Sequence, residues 1–195
     1  MKNFLRVVIG VQFQKAKKLE GIEQFIIVAN HNSHLDTMIL LSCLSSKLVH
    51  KVHPIAAGDY FNKNKLMGFA TSFFVNTLYV NRESKVKGEN LDFLDSIIKD
   101  GKSIIIFPEG SRGAPDELQQ FRKGVGVILS KNPSVPFVPM FLDGAGRAMP
   151  KGESMPVPFT TQLYVGDPVY TEGKSVEEIN QLIFEGITNL KNQTK

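Results

Sequence analysis

Among 195 residues there is no tryptophan and only one cysteine, Cys43, so no internal disulfide can brace the fold. That fits a reducing compartment such as the cytosol. Cys43 lies in an apolar stretch and reads as core rather than as a nucleophile. Long apolar runs are missing too. A membrane-spanning helix needs ~20 mainly apolar residues, and the longest uncharged run, 66–81, is shorter and interrupted by Thr71, Ser72, Asn76 and Thr77. At the N-terminus Arg6 breaks the apolar residues before a signal-peptide core can form. No transmembrane segment is expected, and membrane contact should be peripheral, at the cytoplasmic face. Zinc-finger spacing, an RNA-binding signature and a Lys/Arg block are also absent, which argues against a nucleic-acid partner.

What is present fits one α/β domain over residues 1–195, with its motif-bearing core at about 22–170. The length suffices to bury a real core. A net charge of +4 favours an anionic partner, and residues 47–87 sharpen the imbalance with seven Lys or Arg against Asp59 and Glu83. A solvated basic face, a phosphorylated substrate and an anionic membrane surface all fit that segment.

Strand-like and helix-like segments alternate, the pattern of a largely parallel or mixed central sheet flanked by helices. Strands are expected at 7–13, 25–29, 52–57, 78–81, 103–107, 137–142 and 161–165. Helices are expected at 33–44, 86–99, 123–131 and 176–190, where apolar residues recur at helical spacing. Gly124 and Gly126 weaken the third of these.

Two short polar motifs directly follow apolar runs. Phe25-Ile26-Ile27-Val28-Ala29 leads into Asn30-His31-Asn32-Ser33-His34-Leu35-Asp36, and Ser103-Ile104-Ile105-Ile106 leads into Phe107-Pro108-Glu109-Gly110-Ser111-Arg112. Open α/β sheets bind ligands beyond the carboxyl ends of their strands. His31 is a candidate general base, and Asp36 can fix its tautomer and stabilise the imidazolium. Five residues apart on one helix, the two would point about 140° apart. His31 must therefore sit in the turn before the helix. Ser33 is a candidate N-cap, and Ser33-x-x-Asp36 also reads as a capping box, so Asp36 can cap as well as orient. His34 is the rival base, and His31, His34 and Asp36 together would make a reasonable metal set. However, their spacing is not that of the helical zinc motif, and His50 and His53 show no ligand pattern.

In the second motif Pro108 ends the strand, Gly110 permits a sharp turn, and Arg112 offers a planar fork suited to phosphate. Glu109 can hold a substrate hydroxyl or pair with Arg112 or Arg82. Arg82 also closes an apolar run, so three strand ends can converge on one side of the sheet.

The pattern Asn30-His31-x-Ser33-x-x-Asp36 with Phe107-Pro108-Glu109-Gly110-Ser111-Arg112 closely resembles the glycerophospholipid acyltransferase family, typified by 1-acylglycerol-3-phosphate acyltransferases. Arg82 resembles its intermediate arginine motif and Val138-Pro139 its last, proline-containing motif. The resemblance implies that His31, assisted by Asp36, deprotonates a glycerol hydroxyl that attacks an acyl thioester, without an acyl-enzyme. Arg82, Glu109, Gly110, Ser111 and Arg112 would bind the phosphorylated acceptor. The donor would be acyl-CoA or acyl-acyl-carrier-protein, with no cofactor and no metal.

Two departures stand out. Relatives often carry apolar helices ahead of the first motif, for which there is little room here; Phe61, Leu66, Met67, Phe69, Phe73 and Phe74 are read as core rather than lipid contacts. The stretch Ala57-Gly58-Asp59-Tyr60-Phe61 also lacks a lysine common in phosphatidate-making members, which leaves another lysolipid acceptor open. A non-catalytic lipid or acyl-carrier-protein binding module is the reading from a different class.

Overall fold

The computed structural model describes residues 5–6, 10–13, 16–57, 76–80, 88–115, 117–150, 153, 155 and 157–194. The longest apolar runs become the centre of the molecule. Strands β2 (Ile26–Ala29), β5 (Ser103–Ile106) and β6 (Phe137–Asp143) are buried almost throughout. Such continuous apolar strands belong in a parallel sheet covered on both faces.

With β1 (Val11–Phe13), β3 (Val52–Ala57), β4 (Leu78–Val80) and β7 (Thr161–Val165) they form one seven-stranded mixed sheet in the order β1-β7-β6-β2-β5-β3-β4. Strands β2 to β6 run parallel, while β7 runs antiparallel to β6 and β1 follows β7. The register places Val28 beside Ile106 on one flank and Ala29 beside Met140 on the other. The loops after β2 and β5 therefore leave the sheet side by side.

Alternate residues of these strands serve two separate cores. Ile27, Ala29, Ile105, Val138 and Met140 pack with helix α1 (Asp36–Cys43) on one face. Ile26, Val28, Ile104, Ile106 and Phe137 face α3 (Glu89–Lys99), α4 (Gly124–Lys131) and α6 (Val176–Asn192) on the other. Ile179, Ile183, Ile187 and Leu190 form the buried stripe of α6, whose start is closed by a Ser175–Glu178 capping box. Cys43 is buried on α1, and its Sγ lies 2.9 Å from the Leu40 carbonyl oxygen. Short helices α2 (Ser46–Val49) and α5 (Ala145–Ala148) complete the described elements, with a 3-10 turn at Lys17–Leu19.

Several boundaries differ from the sequence expectations. The first helix starts at Asp36 rather than Ser33, because the Asp36 carboxylate holds the Asn32 and Ser33 amides in a loop. Ser33 is accordingly not the N-cap; Leu35 occupies that position, and Ser33 Oγ accepts the Leu35 amide. The helix expected from 86 opens at Glu89, since Gly88 has φ +92°, outside the helical region. The described part of β4 points its carboxyl end to the same edge as the ends of β2 and β5, and Asn81 lies outside the described residues. Arg82, residues 58–75 and most of residues 1–9 lie outside the described residues.

Candidate active site

The site grows from the end of β2. Asn30 is buried, and its side-chain amide pairs with the backbone of Leu142 on β6: Nδ2 donates to the carbonyl at 3.0 Å and Oδ1 accepts the amide at 2.8 Å. Nδ2 also donates to Asn32 Oδ1 at 2.8 Å. Asn32 in turn donates to the carbonyls of Ala114 and Glu117. The loop is thus pinned to β6 on one side and to the loop after β5 on the other.

Asp36, the first residue of α1, is fully buried. Its Oδ2 accepts the amides of Asn32 and Ser33, each at 2.8 Å, and lies 2.8 Å from His31 Nδ1. Its Oδ1 is buried with no hydrogen-bond partner. With Nδ1–H donating to the carboxylate, Nε2 is the unprotonated nitrogen of the neutral ring. The His31 side chain is 22 % exposed while Asp36 has none. A base open on one side and backed by a carboxylate on the other is what proton abstraction needs.

The second motif and the Gly113 that follows it hold His31 at three points. The Phe107 ring stacks on the imidazole, centroids 4.0 Å apart and planes 14° from parallel. Glu109 Oε1 accepts the His31 amide at 2.8 Å, and the Gly113 amide donates to the His31 carbonyl at 2.9 Å. The other Glu109 oxygen accepts the Gln119 amide at 3.2 Å. Burial pushes the Glu109 carboxyl above its ordinary range, and the two amides oppose that shift. At 3 % exposure, with both oxygens on backbone amides, Glu109 is placed to support the His31 loop.

Gly110 has φ +72°, and its amide closes a turn onto the Phe107 carbonyl. A Cβ there would also come within 2.6 Å of Arg122 Nε. Ser111 is half-buried, its Oγ 3.5 Å from Gln119 Oε1. Arg112 is half-buried as well, and its Nη1 is buried without a hydrogen-bond partner. A buried donor left unpaired costs ~1–3 kcal/mol, so an anion there would be welcome. The half-buried His34 has its pKa lowered, first by burial, then by the charges of Arg112 and His31, with Asp36 opposing.

His31, Asp36 and the Phe107–Gly113 turn therefore meet at one edge of the sheet. Val138 and Pro139 do not join them; both are buried within β6. Among the described residues, no three His, Cys, Asp or Glu side chains gather as a metal-ligand set. Sequence reasoning assigned no role to Asn30, Asn32, Phe107, Gly113 or Gln119. Asn30 and Asn32 flank His31 and Phe107 opens the second motif, so membership of the quoted motifs was the available signal.

The profile of the Acyltransferase family matches residues 10–143. A chloroplastic 1-acyl-sn-glycerol-3-phosphate acyltransferase from Brassica napus is 31 % identical over 128 residues, 65 % of this chain and 35 % of its own length. A putative 1-acyl-sn-glycerol-3-phosphate acyltransferase from Caenorhabditis elegans is 31 % identical over 135 residues, 67 % of this chain and 48 % of its own. The chain thus aligns with about a third to a half of the length of these relatives. In fold it is similar to the crystal structure of the 1-acyl-sn-glycerophosphate acyltransferase of Thermotoga maritima, with a TM-score of 0.69 and 23 % identity over 93 % of this chain and 72 % of that one.

Proposed function

From the premise that this chain belongs to the Acyltransferase family, we propose that it moves a fatty acyl group from a thioester, acyl-CoA or acyl-acyl-carrier-protein, to the free hydroxyl of 1-acyl-sn-glycerol 3-phosphate, giving phosphatidate. The observation that carries this reading is the 2.8 Å contact of His31 Nδ1 with a buried Asp36 while the ring stays open on its other side. The names of the aligned relatives support the same acceptor.

In this reaction His31 Nε2 takes the hydroxyl proton as the acceptor oxygen bonds to the thioester carbon. The tetrahedral intermediate collapses with cleavage of the C–S bond, and the imidazolium returns the proton to the departing thiolate. Asp36 stabilises the imidazolium throughout. Arg112, with its unpaired buried nitrogen, and Arg82 hold the acceptor phosphate. Glu109, Phe107 and Gly113 fix the base rather than touch substrate. No metal or cofactor takes part.

Thiol release from acyl-CoA and acyl-acyl-carrier-protein, with and without 1-acylglycerol 3-phosphate, tests the reading. Acceptor-dependent release should fall ~10²–10⁴-fold in His31→Ala, the share of a positioned base. Release only with another lysolipid would keep the chemistry and change the acceptor. A wild type that binds donor or lipid but releases no thiol with any acceptor would be a binding module.

A further inference from the structure

The catalytic edge carries an exposed apolar segment that the reaction itself does not use. Met155 is 78 % exposed, Val157 53 % and Phe159 36 %. These three large apolar side chains occupy five residues, where water-soluble surfaces ordinarily scatter them singly. The exposed Arg147 guanidinium lies over the Phe159 ring, 5.3 Å from its centroid.

The segment is tied to the base through two hydrogen bonds. Ser33 Oγ, within the His31–Asp36 loop, donates to the Met149 carbonyl at 3.0 Å. The Val157 amide donates to the Ala148 carbonyl at 2.8 Å. The sheet fixes the direction as well. Asp143, at the carboxyl end of β6, pairs with Gln162 at the start of β7, so Val157 and Phe159 precede β7 at the edge where β2 and β5 end.

We propose that Met155, Val157 and Phe159, flanked by Arg147, dock this edge of the sheet onto an anionic lipid bilayer, so that His31 faces the surface holding the acceptor. The inference rests on the proposed lysolipid acceptor. Its physical ground is the pairing of protruding apolar side chains, which enter the acyl boundary, with a cation at headgroup level. The net charge of +4 has the complementary sign for such a surface. No described helix is long and apolar enough to cross a membrane, so a docking face is the attachment these residues can supply.

Flotation with phosphatidylcholine vesicles, with and without an equal share of phosphatidylglycerol, tests the surface. The full chain should float with the anionic vesicles and be released by salt. A double variant, Met155→Asp with Val157→Asp, should weaken partitioning about tenfold or more. It should also raise KM for vesicle-held acceptor while leaving kcat on a short-chain, water-soluble lysophosphatidate unchanged. Tyr170→Asp is the control. Tyr170 is 56 % exposed and follows Val169, which pairs with Phe137 at the opposite edge of the sheet.

Unchanged flotation of the double variant, an equal loss in the control, or equal binding to neutral vesicles would each overturn the proposal. The failures are separable. A double variant with unchanged flotation in an enzyme active on the soluble acceptor removes the surface but not the reaction. A wild type that floats, loses binding in the double variant and releases no thiol removes the reaction but not the surface.

Discussion

Two buried aspartates on opposite faces of the sheet use their carboxylates in different ways. Asp95, on α3, uses both oxygens on side chains. Asn132 Nδ2 donates to Oδ1 at 2.8 Å, and Lys99 Nζ lies 2.7 Å from Oδ2. These bonds hold its pKa below the ordinary range. Asp36 is more deeply buried, yet it gathers His31 Nδ1 and two amides on one oxygen and leaves the other without a partner. A fully satisfied carboxylate locks two helices together. An over-used oxygen beside an orphan one leaves hydrogen-bonding capacity unspent, a pattern that calls for a reason beyond stability.

The comparison is broken most directly by neutralising each acid. Asp36→Asn keeps an acceptor for the loop amides but removes the charge that stabilises the imidazolium. Thiol release should fall ~10²–10⁴-fold, with a much smaller change in melting temperature. Asp95→Asn should do the reverse, with kcat unchanged. Its loss of stability should be about 1 kcal/mol, since Lys99 is well exposed and its ion pair is screened. Equal effects of the two substitutions on rate would abolish the distinction.

Glu109 sharpens the contrast, as a third buried acid whose task is neither. Its oxygens join the amides of His31 and Gln119, so it meets the His31 loop through the backbone. In Glu109→Gln, one of those amides would face the new NH2 group. The expected loss is ~1–3 kcal/mol of stability and roughly 10–100-fold in kcat from a displaced base, with KM for the acceptor held. A raised KM at unchanged stability would instead put Glu109 on the substrate. Urea titration beside steady-state kinetics separates the two.

Much of this arrangement was legible in the residues because its parts are periodic or local. The short apolar runs that became β2, β5 and β6 suit a sheet covered on both faces, and the stripe of α6 needs no tertiary knowledge. His31 and Asp36 also lie close enough in sequence for their geometry to be argued. Two things were not legible. The start of α1 depends on one carboxylate competing for loop amides, which reads in sequence like an ordinary cap. The task of Glu109 depends on β5 lying beside β2, a pairing across 78 residues that no local pattern encodes. A glutamate after a strand end is the same letter whether it meets substrate or a distant backbone.

The smallest effect expected concerns His34, a charge-bearing neighbour of the same loop. Its pKa lies below 6.5, first because it is half-buried and next because Arg112 disfavours a second cation nearby. A group depressed on folding binds its proton more readily when unfolded. Its contribution is therefore present above pH 6.5 and is lost as the pH falls through the lower folded value. Over that window the urea midpoint of the wild type should decline, and that of His34→Gln should decline less. Arg112→Ala should flatten the same slope partway, because burial, the larger cause, remains. Arg112→Ala matching His34→Gln would make the arginine the dominant cause instead. An unaltered slope in both variants would show that His34 does not carry the window.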